Sequence, residues 1–391
     1  MAPRDALTTH PVVHRVMAKL QVAPGLIGIH GTLYDARDFD HPGGALWLHA
    51  VAGSDATELF EMSHLNIARA RRALNALPKR GTYERTLQRD YTLYARLRAV
   101  AVAHLATAPS CGTGKGGVAA WAGACVASHV LLLSMPALTI WWCAWCVVVA
   151  MCNAVLGGYG HDALHRLHPQ TLFLDWNGLS TYEWLLEHVV SHHPHVNTEH
   201  DHDAKSMEPF VVWHESQWRN AVAYPIFAIG ELVVAAHGYV GHRCRWRAPA
   251  HAPAWLRMAP WLFVGRACLH LGCQGMRDGA LTLVCTLLIA SAYFSYLAHL
   301  SHAPGGNTSH TCVVRHQLAH TGDIATAWPQ LAMFLDRQTM HHLFPTIPHA
   351  KLTTALRDAL AATHESAAFQ QRSDLPRLLH KRLVCTKKAD E

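Results

Sequence analysis

The sequence predicts a multi-domain chain: a small α+β domain, then an all-α membrane domain with four transmembrane helices and a cytoplasmic, histidine-rich cap. Three observations predict it. Hydrophobic residues make up 50% of the chain and charged residues only 15%, a balance that leans towards the membrane class. No charged residue occurs between Val118 and Gly158, a stretch far longer than the about 20 residues that one helical span needs. The chain also holds 32 histidines, and three clusters of them bracket the apolar blocks.

Taken in order, Met1 to Thr9 contains charges and no apolar core of the signal-peptide kind, so insertion is expected to depend on internal spans. Next come His41-Pro42-Gly43-Gly44 and then Asp55-Ala56-Thr57-Glu58-Leu59-Phe60-Glu61-Met62-Ser63-His64. A lone HPGG is a turn before a helix; with the second signature behind it, the region 26–84 resembles cytochrome b5. The resemblance implies a haem b with His41 and His64 as axial ligands, and Phe39, Leu46, Leu59 and Phe60 as candidates to line its slot. Ligation by two imidazoles leaves no open position on the iron, so such a haem passes electrons and does not bind oxygen. This domain is expected over residues 10–90.

The connector, 91–117, reads as an amphipathic helix on the membrane surface around Tyr91–Arg98, followed by a glycine-dense linker at Cys111–Gly117. The linker lacks the spacing and the preceding strand of a phosphate-binding loop. Arg69, Arg71, Arg72, Lys79, Arg80, Arg85, Arg89, Arg96 and Arg98 crowd the approach to the first apolar block. A cytoplasmic flank obeying the positive-inside bias accounts for them, and no nucleic-acid partner is expected. The eleven cysteines form no regular framework, and Cys143 and Cys146 sit in a tryptophan-rich apolar run that reads as packing.

The membrane domain is expected over 118–365, with a basic tail over 366–391. Ser134-Met135-Pro136 offers a turn, giving spans at roughly 118–134 and 137–157. Residues 218–241 suit an interfacial helix. Ala280–Leu300 is a clear span, whereas Trp255–Gly275 contains Arg266 and His270. An arginine is costly in lipid and must face protein, water or an interface. Both segments have to cross if the third histidine cluster is to share a side with the first two.

Those clusters are His161-Asp162-Ala163-Leu164-His165, His188-Val189-Val190-Ser191-His192-His193 and Gln338-Thr339-Met340-His341-His342. Residues four apart on a helix lie on one face, so each of the first two presents paired imidazoles to one point. Seven imidazoles exceed what one four-coordinate metal uses, which argues for two metals. The His-Glu-x-x-His of zinc proteases does not occur. HDALH, HVVSHH and QTMHHLFP resemble, in order and separation, the three histidine boxes of membrane fatty acid desaturases. Glutamine at the head of the third box resembles the front-end branch, which carries a fused cytochrome b5 domain.

The resemblance implies two non-haem iron ions on His161, His165, His188, His192, His193, His341 and His342. It also implies a further ligand at the end of the last span, with His299 the first candidate and His302 the weaker one. The family often has Asn four residues before that ligand, where Ser295 precedes His299. Gln338 would hydrogen-bond a ligand or position substrate. In the segment holding His195, Asn197, Glu199, His200, Asp201, His202 and Asp203, the acidic groups are candidates to orient the ligating rings. His310, His316 and His320 are expected not to ligate.

A saturated C–H has no useful acidity, so the chemistry implied belongs to a metal centre with O2 as co-substrate. The paired Glu-x-x-His motifs of soluble di-iron carboxylate proteins are missing. Electrons are expected from a separate NADH-cytochrome b5 reductase, because no dinucleotide fingerprint is present, and would pass through the tethered haem domain. The expected substrate is a long-chain acyl-CoA or a phospholipid acyl chain. The expected setting is membrane lipid, with a multi-pass protein of the endoplasmic reticulum whose termini and active site are cytoplasmic. HVVSHHPHVN leans towards delta-5 selectivity. Alternatives on the same architecture are a sphingolipid long-chain-base desaturase and a b5-fused fatty acid hydroxylase. A haem electron-transfer protein with an inactive desaturase domain is the non-enzyme alternative.

Overall fold

The computed structural model describes residues 25–107, 115–198, 200–205, 252–302, 311–363 and 372–373. The interfacial helix expected at 218–241, Glu199, His310 and, apart from Arg372 and Ser373, the basic tail lie outside the described residues.

The N-terminal part is α+β. Strands β1 (Leu26–Ile29) and β2 (Thr32–Asp35) pair antiparallel from Leu26↔Asp35 to Ile29↔Thr32. Their two-residue turn, His30-Gly31, has positive φ at both positions (49° and 76°), as a hairpin turn matched to strand twist requires. Strand β3 (Lys79–Thr82) lies on the other side of β2. Three short helices follow the hairpin in sequence: α1 (Ala45–Val51), α2 (Thr57–Ser63) and α3 (Ile67–Asn75), the last capped by Asn66, whose side chain accepts from Arg69 N. His41 precedes α1 across the Pro-Gly-Gly turn, and His64 ends α2.

The connector departs from expectation. Helix α4 (Thr92–Thr107) does not lie open on a surface: Tyr94, Leu97 and Ala101 are fully buried and Arg98 nearly so. These positions form one stripe along the helix, and the stripe packs against the haem-type domain and the third histidine box. Met62, Leu97, Leu343, Phe344 and Leu356 belong to one apolar cluster.

In the membrane part, helices α5 (Lys115–Leu133) and α6 (Ile140–Leu164) are joined by the expected turn, and Thr139 caps α6 by accepting from Trp142 N. Short helices α7 (Leu172–Trp176) and α8 (Thr181–Trp184) lead into the second box. Beyond α9 (Ala254–Met258), helix α10 (Trp261–Ser301) is interrupted at Gly275, where φ is 80° and ψ 172°. The chain doubles back there. A Cβ on Gly279 would meet the His270 carbonyl and stand 2.8 Å from Leu271 Cα, and Arg266 donates to Thr286 Oγ1 at 3.1 Å. Nine and twenty residues of continuous helix would separate those pairs by about 13 and 30 Å. Helices α11 (Val313–His320), α12 (Gln338–Leu343) and α13 (Thr354–Thr363) complete the cap.

Among the described residues three helical stretches are long and apolar enough to cross a membrane: Gly116–Leu133, Ile140–Leu164 and Ala254–Ala298. The count is therefore three where four were expected, because the last stretch, 45 residues long, runs through the reversal at Gly275. Val126, Val130, Ile140, Trp141 and Met276 lie exposed on these helices, the surface that hydrocarbon, not water, would solvate. Arg266 faces inward, fully buried, and donates also to Trp176 O and Asn177 Oδ1.

Candidate metal centre

The three boxes converge where α6 ends, in the segment after α8 and in α12. His161 and His165 sit one turn apart at the close of α6. The second box is not an ordinary helix: Leu185–His192 is a π-helix, and His193 N donates to His188 O, five residues back. This explains its spacing. On an α-helix, residue i+4 is about 40° and residue i+5 about 140° around the axis from residue i, so His193 would point away from His188. Widening the turn to i→i+5 bonds brings both His192 and His193 to the side of His188. Helix α12 delivers His341 and His342, and its register is set by Asp323, whose carboxylate accepts from Thr339 N (2.9 Å) and pairs with Arg357 (3.0 Å).

Among the described residues two groups made of imidazole nitrogens alone result. His161, His165, His188, His193 and His341 form one, and His192, His302 and His342 the other. Their Nε2 atoms face one another: 2.8 Å from His161 to His188, 3.0 Å from His188 to His193, and 3.1 Å from His161 to His341. In the second group the distances are 2.9 Å from His192 to His302 and 3.0 Å from His302 to His342.

The outer nitrogens decide what those inner atoms are. His188 Nδ1 donates to Asp203 (2.7 Å), His192 Nδ1 to Asp201 (2.9 Å), His302 Nδ1 to Ala298 O (2.6 Å) and His342 Nδ1 to Gln317 Oε1 (3.1 Å). Gln317 is held in that sense because its amide nitrogen donates to His193 O. With Nδ1 protonated in each neutral ring, Nε2 carries a bare lone pair. Lone pairs converging at about 3 Å repel unless a cation lies among them, and two nitrogens each about 2.1 Å from one metal, at right angles, are about 3 Å apart. The donor set fits two metal ions.

Burial, and after it the crowding of other imidazoles, holds His165, His193, His341 and His342 well below the usual imidazole range. They are thus neutral, the ligating form. Burial also lowers His192, but Asp201 more than offsets it, leaving that ring above its ordinary value.

The two groups are unequal. Five imidazoles crowd the first. Among the described residues the second has three, with the Gln338 amide nitrogen 3.2 Å from His302 Nε2 and the Gln338 carbonyl oxygen buried without a partner there. Beside the second group lies a cavity of about 80 Å³ lined by His192, His302, Gln338, Phe294, Met333 and Leu335, among others. The same cavity also touches His161 and His188 of the first group.

Of the two ligand candidates at the end of α10, His302, the weaker one, is the ring that joins the cluster. The side chain of His299 lies outside the described residues. The residue one turn before His302 is Ala298, not Ser295, and its carbonyl orients the ring. His316 and His320 stand outside both groups: His316 Nε2 donates to Val196 O, and His320 meets the Asn197 amide. Gln317 and His349 carry no sequence signal of their own. His349 Nε2 lies 2.9 Å from His341 Nδ1, and its backbone N–H donates to Asp162.

In the N-terminal domain the rings of His41 and His64 are 6.0 Å apart between centroids. Two imidazoles bonding one iron from opposite faces stand about 6 Å apart in this measure, taking metal–nitrogen bonds of about 2 Å. His64 Nδ1 donates to Phe60 O, leaving Nε2 for a metal, and Phe39, Leu46, Leu59 and Phe60 share the surrounding apolar cluster. The pair fits a haem.

Sequence comparisons place the chain among known proteins. A profile described as fatty acid desaturase matches residues 139–372, and one described as cytochrome b5-like heme/steroid binding domain matches residues 15–84. The chain is 27% identical over 372 residues to an acyl-lipid (7-3)-desaturase of Diacronema lutheri, covering 84% of this chain and 81% of that protein. It is 24% identical over 372 residues to an acyl-lipid (7-3)-desaturase of Rebecca salina, covering 83% and 81%. A cytochrome b5-related protein of Drosophila melanogaster is 26% identical over 201 residues, covering 49% of this chain and 44% of that protein.

Proposed function

This chain belongs to the fatty acid desaturase family, in the front-end form fused to a cytochrome b5-like domain, and from that premise we propose that it places a double bond in a long acyl chain of a membrane lipid, with O2 as co-substrate. It is an oxidoreductase and a membrane protein. His161, His165, His188, His193 and His341 would hold one iron. His192, His302 and His342 would hold the other, with Gln338 at its open side. Bound iron supplies the oxidation of an unactivated methylene that no side-chain acid or base achieves. The chain's own part is to fix the rings through Asp201, Asp203, Gln317 and Ala298, to exclude water, and to hold one C–C pair beside the second group.

The observation that carries this reading is the convergence of inward Nε2 atoms, with the lone pairs of His188, His192, His302 and His342 each enforced by a hydrogen bond on the far side of its ring. The names of the relatives from Diacronema lutheri and Rebecca salina support an acyl-lipid over an acyl-CoA substrate. HVVSHHPHVN supports delta-5 selectivity. Two irons, haem b on His41 and His64, and an external NADH-cytochrome b5 reductase complete the assignment. The two halves of α10 would each cross the bilayer, making four spans and placing all boxes on the cytoplasmic side of the endoplasmic reticulum.

The test is expression in yeast supplied with defined acyl chains, with products resolved by gas chromatography. Wild type should yield one new unsaturated product. Single alanine changes at the seven box histidines or His302 should abolish it while leaving the haem absorption spectrum intact. Product formation with His161 and His342 both replaced would overturn the site.

A further inference from the structure

We infer that Tyr94 is a positioning residue that locks the haem domain onto the third histidine box, so that the domain is held docked by α4 and not merely tethered; this rests on the function proposed above. The Tyr94 hydroxyl donates to Leu343 O (2.8 Å) and lies 3.3 Å from Met62 O. Leu343 follows His342 of the metal centre, and Met62 stands two residues before the haem-side His64. One side chain thus joins the backbones beside both candidate redox sites.

Its surroundings fix it there. Tyr94 is fully buried, and its ring stacks on Phe344 with centroids 5.6 Å apart. One turn on, Arg98 donates to the Glu61 carbonyl at 2.8 Å and to the Glu61 carboxylate at 3.3 Å. That carboxylate is fully buried and also receives Arg71. A buried hydroxyl between two carbonyls leaves one of them unsatisfied if it is lost, which penalises separation of the two surfaces. A domain that swung freely on its connector would bury neither Tyr94 nor Arg98.

The locked contact serves one-electron steps. A haem held by His41 and His64 would be the one-electron donor and iron held by the boxes the acceptor, so that two external electrons, with two protons from water, would accompany O2 for each double bond formed. Reductant comes from outside, and dithionite replaces it in the test.

Full-length protein loaded with haem and iron is prepared as wild type, Tyr94→Phe and Tyr94→Ala. Tyr94→Phe keeps the stack on Phe344 and removes only the bridge. Amide exchange at residues 60–64 and at 341–345 should quicken together by about five-fold in Tyr94→Phe, the effect of one hydrogen bond of ordinary net strength, and by more in Tyr94→Ala. Oxidation of dithionite-reduced haem on mixing with O2 and substrate should slow in the same order, with haem spectrum and iron content unchanged. Exchange that quickens in one segment alone, or haem oxidation at the wild-type rate in both variants, would overturn the inference. Should Tyr94→Ala not fold, Tyr94→Phe decides alone. A wild type that makes no unsaturated product counts against the proposed function, whereas paired exchange still decides the docking.

Discussion

His349 stands outside every cluster that the sequence displays, yet its ring meets His341 on the side away from the other imidazoles. An outer partner of this kind fixes the tautomer of a ligand, and its loss typically costs 10–100-fold in metal affinity. His349→Ala should therefore give up iron to a chelator at correspondingly lower concentration, with the haem spectrum unaltered; equal resistance to chelation would remove His349 from the site. The same scale shows what was legible. Box histidines declare themselves because spacing on one helix face is a local property. Whether His299 or His302 turns inward is not local. They lie three residues apart at one helix end, so the answer depends on the rotation of the second half of α10, which its fold-back on the first half sets through contacts such as Arg266 with Thr286. Gln317 was illegible for a related reason: its role exists only because α11 packs against the second box.

The π-helix makes a prediction at the scale of an element. One alanine inserted after Ser191 would make His192 and His193 the fifth and sixth residues after His188, about 140° and 240° around the axis from it if the helix regularised. Ser191 is itself buried, donating to His200 O and accepting from His202 N. The insertion should abolish iron binding and product formation while the haem domain still binds haem, measured by metal analysis and absorbance on one sample. Retained iron would show that the widened turn is not what gathers these rings. The spacing HVVSHH was visible in the sequence, but the helix type that gives it meaning was not. The connector teaches a similar lesson. An apolar stripe on α4 says that something covers it, and local periodicity does not distinguish lipid from protein. The reversal at Gly275 was legible, because Gln274-Gly275-Met276-Arg277-Asp278-Gly279 puts two glycines and two charges between the segments expected to cross.

For the whole molecule, the four-span arrangement predicts that glycosylation acceptors placed near residues 135 and 277 are modified and those near 205 and 320 are not. Modification near 320 would mean that the third box lies across the membrane from the first two. The division into two parts was legible from HPGG, the boxes and the uncharged stretch, since each is a property of neighbouring residues. Their union was not. Leu46, Ala50, Val51 and Phe60 of the haem-side domain share one apolar cluster with Leu185, Leu186, Val189 and Val190 of the π-helix that carries the second box. If the common core couples the two sites, haem and iron each firm the hold on the other, and at saturating haem the iron-deficient variants above keep their haem spectrum while binding haem less tightly. Protein made in a host deprived of haem should accordingly carry less non-haem iron than protein made with haem, by metal analysis, even at equal yield. A cell short of porphyrin would then lose desaturation twice over, once for want of electrons and once for want of a firm metal site. Its output of double bonds would then follow haem supply through the fold of the enzyme itself.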